Sequence, residues 1–132
     1  MTRARILVAD DHPSMLTRVV HLLSNDYDIV GEASDGIAAV EAYQRLKPDL
    51  CVFDISMPEM TGFEAARRLQ QLGCTARIVF LTVHEDPEFV DAARNVGAVG
   101  YVLKRNILTD LLPVVRRALA NQVTFLAPLT AR

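Results

Sequence analysis

The chain has 132 residues, 51% of them hydrophobic and 23% charged, with a formal net charge of −2. That size and balance fit one globular domain with its own core, and the slight negative charge gives nucleic acid no electrostatic footing on this segment. No apolar run approaches the ~18 residues of a membrane span and the N-terminus has no secretory pattern, while the two cysteines, Cys51 and Cys74, read as reduced thiols of a cytoplasmic protein and not as a disulfide framework.

Taken in order, Arg5 to Ala9 is a continuous apolar run that ends at Asp10, and so a buried strand. Asp11, His12 and Pro13 follow, and Pro13 suits the first turn of a helix carrying Met15, Leu16, Val19, Val20, Leu22 and Leu23. Asn25 and Asp26 end it. Tyr27 to Ala33 alternates more, as an edge strand does. Ser34-Asp35-Gly36 can cap a helix with Ile37, Val40, Ala42, Tyr43 and Leu46, which Lys47-Pro48 stops. A third apolar run, Leu50 to Phe53, delivers Asp54 to a loop that Pro58 and Gly62 turn.

Phe63 to Leu72 is the next helix, and Arg77 to Leu81 a fourth strand ending at Thr82. Pro87 opens a helix to about Val96, Gly97 to Gly100 punctuates, and Tyr101 to Leu103 is a short fifth strand ending at Lys104. The last helix is placed at about Asp110 to Ala120. Pro113 falls inside it, where it removes a hydrogen bond and crowds the preceding turn, so a kink or a start delayed toward Leu111 is expected.

Five apolar strands alternating with helical stretches argue for a parallel sheet covered on both faces. Right-handed crossovers then favour a doubly wound α/β domain: a five-stranded parallel sheet in the flavodoxin-like order 2-1-3-4-5, with five helices. In such a sheet Asp10, Asp11, Asp54, Thr82 and Lys104 all fall on one edge. Clustered carboxylates repel unless a cation neutralises them, and a cluster of hard oxygen ligands with no His or Cys suits Mg²⁺. With Lys104 and Thr82 added, the edge can hold a tetrahedral dianion, and Asp54 can act as a nucleophile toward phosphorus.

Asp10-Asp11-His12-Pro13, Asp54 to Gly62, Leu81-Thr82 and Gly97 to Lys104 together resemble the receiver domain of bacterial response regulators, over roughly residues 4–120. The resemblance implies a CheY-like fold. It implies that Asp54 accepts a phosphoryl group from a sensor histidine kinase or a phosphotransfer protein, and that Asp10, Asp11, Asp54 and the backbone carbonyl of Ser56 hold Mg²⁺. It also implies that Lys104 and Thr82 contact the phosphoryl oxygens, and that Tyr101 follows Thr82 inward as a switch. The protein would then be a signalling phosphoacceptor whose only catalysis is its own phosphotransfer and dephosphorylation.

Gly31 to Gly36 and the stretch to Leu126 resemble the NarL/LuxR-type subgroup, whose members carry a C-terminal helix-turn-helix DNA-binding domain. On that basis residues 1–121 are the receiver, and 122–132 a tail or the start of a linker to an output domain absent from this sequence. A homodimer on phosphorylation and DNA binding only through that absent domain are expected; a stand-alone receiver is the alternative. Arg105 stands where many receivers have Pro. Ser56 and His84 flank the family's path for attacking water. His12, His21 and His84 are read as surface histidines, Arg67-Arg68 and Arg116-Arg117 as solvated helix faces.

Two further readings come from other classes. A receiver-like interaction module indifferent to phosphate would bind no Mg²⁺. A flavin protein or phosphohydrolase on a similar sheet would need an anion-cradling loop after the first strand, or a second acid two residues beyond the nucleophile, where Ser56 stands.

Overall fold

The computed structural model describes residues 3–126. Strands β1 (Arg5–Ala9), β2 (Asp28–Ala33), β3 (Leu50–Asp54), β4 (Arg77–Thr82), β5 (Gly100–Leu103) and β6 (Thr124–Leu126) alternate with helices α1 (Pro13–Ser24), α2 (Gly36–Leu46), α3 (Gly62–Gln71), α4 (Pro87–Asn95) and α5 (Ile107–Leu119). A 3₁₀ turn, Lys104–Asn106, leads into α5. All strands are parallel, in the order β2-β1-β3-β4-β5-β6. The doubly wound architecture is as expected, but the sheet has six strands, not five.

The sixth strand comes from the stretch read as tail. Asn121, in the left-handed region at φ 65°, reverses the chain after α5. Thr124 and Phe125 then run beside Gly100 and Tyr101. A β-branched and an aromatic residue suit a strand, but three residues are too few for the pattern to announce one. Residues 127–132 of the expected linker lie outside the described residues.

The two faces of the sheet follow from strand alternation. Leu7, Cys51, Phe53, Phe80, Tyr101 and Leu103 pack with α2, α3 and α4 on one side. Ile6, Val8, Val52, Val79, Leu81 and Val102 pack with α1 and α5 on the other. β2 is half-buried along its middle, as its alternating sequence and edge position require.

The cap read at Asp35 holds, and the structure adds one at Thr61 that was not read. The Asp35 carboxylate accepts the Ala38 N–H at 2.7 Å and starts α2. Thr61 and Glu64 form a reciprocal capping box on α3. Pro113 is the exception, because α5 begins at Ile107 and runs through it. An internal proline costs ~3 kcal/mol. Ile107, Leu111, Val114 and Val115 are all buried by the helix, each contributing about 1.5–3 kcal/mol. Tertiary packing therefore outweighs the local penalty.

Gly62 sets the loop after β3. Its N–H donates to the Ile55 carbonyl at 2.7 Å, folding the loop back onto the strand end. A Cβ there would lie 2.3 Å from the Asp54 carbonyl oxygen and 2.9 Å from Ile55 Cα. Both neighbours are backbone, so neither can rotate away. Gly62→Ala should lower stability by about 1–3 kcal/mol, read as a drop in the urea midpoint; an unchanged midpoint would show that the loop can shift without cost.

Candidate functional site

Strand order and register assemble the polar edge. Ala9 pairs with Phe53, so Asp10 and Asp54, each one residue further on, stand opposite one another. Lys104 follows β5, two strands away from β3, a span of roughly 10 Å. Only a long side chain crosses it, and the Lys104 Nζ reaches 3.0 Å from Asp10 Oδ2 and 3.2 Å from Asp54 Oδ2. Thr82 ends β4 between them. Asp10, Asp54 and Thr82 are the buried polar residues among those described.

Charge in this site is not balanced. Lys104 is the one ammonium paired with both Asp10 and Asp54, and Asp10 Oδ2, Asp54 Oδ2 and Asp11 Oδ1 are buried oxygens left without a hydrogen-bond donor of their own. Burial first, and the Asp10 charge second, push the Asp54 carboxyl up to about 6, against the opposing pull of Lys104. One ammonium does not offset three carboxylates. Ligand atoms of Asp10, Asp11, His12 and Asp54 lie within 4.8 Å of one another, close enough for a single cation. The cluster is not free of histidine as expected, since the helix-capping His12 follows Asp11 directly, but the orphaned oxygens belong to its three carboxylates and fit a hard divalent ion.

The carboxylates are not spent on helix capping. The N-cap of α1 is His12, without a side-chain bond to the helix. Asp10 Oδ1 accepts the His12 N–H at 2.9 Å. His12 is exposed, as expected of a surface histidine, and its Nδ1 lies 3.1 Å from Asp11 Oδ1 and 3.4 Å from Asp10 Oδ1.

On the other side of Asp54 the sequence reading missed a hub. His84, expected as a surface histidine, makes four contacts. The His84 N–H donates to Thr82 Oγ1 at 3.0 Å, its Nε2 is 2.9 Å from Ser56 Oγ, its ring stacks on Phe89 at 4.0 Å, and its carbonyl accepts the Tyr101 hydroxyl at 2.8 Å. Ser56 in turn donates its N–H to Asp54 Oδ1 at 3.3 Å. Arg105, after Lys104, forms an ion pair with Glu85 of the same loop. The one signal available was that Ser56 and His84 each stand two residues beyond a strand-end site residue.

Tyr101 is wholly buried and already points inward, and burial, then Asp86, push its hydroxyl up to about 12. Cys51 is a buried free thiol, also raised by burial, and Cys74 is free and half-buried.

Residues 6–116 match the model of the response regulator receiver domain. The chain belongs to this family. Among its relatives, the nitrate/nitrite response regulator protein NarL of Escherichia coli K12 is 39% identical over 96% of this chain and 60% of its own. The transcriptional regulatory protein YvfU of Bacillus subtilis is 32% identical over 96% of this chain and 64% of its own. The chain thus spans about three fifths of the length of these curated relatives. Among solved structures, the signal receiver domain of NarL from Mycobacterium tuberculosis superposes with a TM-score of 0.88 at 31% identity, covering 92% of this chain and all of that one. A LuxR-family two-component response regulator from Aurantimonas gives 0.88 at 33%, covering 93% and 89%. The NarL/LuxR character expected from the motifs is the character of these relatives. Among the described residues, no helix is long and apolar enough to cross a membrane.

Proposed function

We propose that this receiver is a phosphorylation-controlled switch in which Asp54 is the phosphoacceptor. The supporting observation is the excess of buried carboxylate around one lysine: a site short of positive charge, with orphaned oxygens aimed at one point. The donor is a phosphohistidine on a sensor histidine kinase or a phosphotransfer protein. Asp54 forms the new O–P bond while the N–P bond of the donor breaks; the bonding pair returns to the imidazole nitrogen, which takes a proton from solvent.

Asp10, Asp11, Asp54 and the backbone carbonyl of Ser56 would hold Mg²⁺. When bound, this ion supplies the positive charge that lets a dianion approach the carboxylates. Lys104 is placed to transfer its contact from the Asp54 carboxylate to a phosphoryl oxygen. Thr82 would leave the His84 N–H and donate its hydroxyl to another, and Tyr101 would respond through His84. The output is transcription, through a helix-turn-helix domain supplied outside this sequence and with dimerisation on phosphorylation.

The test is incubation with acetyl phosphate and Mg²⁺, followed by mass spectrometry. One phosphoryl group per chain, labile to hydroxylamine and mapped to Asp54, is expected. No label, together with no Mg²⁺ binding near neutral pH, would leave a phosphate-independent interaction module instead.

A further inference from the structure

Three residues of parallel pairing hold a strand weakly, and the middle residue of β6 adds ring contacts. Phe125 pairs in register with Tyr101, and the two rings stack at 5.7 Å between centroids and 20° between planes. From solvent, the Arg94 guanidinium of α4 covers the Phe125 ring at 4.3 Å. The Thr124 N–H adds one bond to the Val99 carbonyl at 2.9 Å. The platform under Phe125 is thus the ring of Tyr101, whose hydroxyl is tied to the His84 carbonyl at 2.8 Å. The contacts then run from Tyr101 through His84 to Ser56, two residues beyond Asp54.

We infer that β6 is a strap on the edge of β5 whose hold is set by the phosphoryl site through His84 and Tyr101. The inference rests on the phosphoacceptor reading of Asp54. Phe125 can stack only while Tyr101 is inward. A phosphoryl group that draws Thr82 away from the His84 N–H leaves the Tyr101 hydroxyl as the tether of that loop, so the phosphorylated state keeps Tyr101 in and the strap on. When Tyr101 leaves, β6 loses its platform and the β5 edge opens to other partners. Coupling between two sites is reciprocal, so removing the Phe125 ring must also weaken binding at Asp54.

The experiment measures hydrogen exchange of residues 124–126, and beryllofluoride affinity in excess Mg²⁺, for the wild-type chain, Phe125→Ala and Arg94→Ala. Beryllofluoride should slow exchange in β6 of the wild type. Phe125→Ala should weaken beryllofluoride binding about two- to tenfold, the scale of one aromatic stack. Arg94→Ala, which removes the guanidinium over the Phe125 ring, should move both readouts the same way by less. If beryllofluoride binds the wild type while β6 exchange and the affinity of Phe125→Ala stay unchanged, the strap is overturned and Asp54 stands. If it does not bind the wild type, the phosphoacceptor reading falls, and the strap's control with it.

Discussion

Asp54→Asn is expected to take no phosphoryl label from acetyl phosphate and to show no response to beryllofluoride, a loss of about a thousandfold or more. The substitution is nearly isosteric, so the contacts of Ile55 and Gly62 around the loop persist. It removes the charge and the basic oxygen that must form the O–P bond. Lys104→Met gives the informative contrast. Asp54 keeps its nucleophile there, but loses the ammonium 3.2 Å away. Labelling should slow by about tenfold to a thousandfold, as when one electrostatic contact to a transferring group is removed. The two variants separate nucleophile from charge partner. Should Asp54→Asn label at the wild-type rate, the acceptor is another residue, and peptide mapping would find it.

Much of this site is legible in the chain because its information is one-dimensional. Apolar runs that end in Asp10, Asp54, Thr82 and Lys104 fix which groups reach the strand ends. Parallel pairing then brings those ends to one edge, whatever the side chains do in detail. The placement of Asp10 near Asp54 needs only the strand order and two runs that end at the same edge, and the reach of Lys104 only its length. The same reasoning gave the helix starts at Pro13, Asp35 and Pro87, where a local residue type decides the local backbone.

What escaped depends on contacts between distant parts of the chain. No pattern in Val83-His84-Glu85 says that His84 will stack on Phe89 and meet Ser56, since both partners arrive from other elements. β6 is too short to carry a period of its own. Phe125 is in a strand because the Tyr101 ring and the open edge of β5 are there to receive it. At Pro113 the local rule was right about the penalty and silent about the buried residues on the opposite side of the balance.

The imbalance of charge at Asp54 has a consequence for stability that can be measured without any phosphoryl donor. The Asp54 carboxyl moves from 3.8 to about 6 in the folded chain, because burial and Asp10 disfavour its ionised form more than Lys104 favours it. The folded state therefore binds this proton more tightly than the unfolded one. Stability from this group is greatest below about pH 4, falls as pH rises toward about 6, and stays low above it. Discounted for solvent screening at the mouth of the site, the loss is about 1–2 kcal/mol. In EDTA, Asp54→Asn should thus be more stable than wild type at pH 7.5 by that amount, and the advantage should shrink as pH falls to 4. Subtracting one protein from the other cancels the titrating groups remote from this site. Mg²⁺ should invert the order at pH 7.5, raising the urea midpoint of the wild type and raising that of Asp54→Asn far less. An advantage independent of pH, or an equal Mg²⁺ response in both proteins, would mean that Lys104 already neutralises the site and that the orphaned carboxylate oxygens do not await a cation.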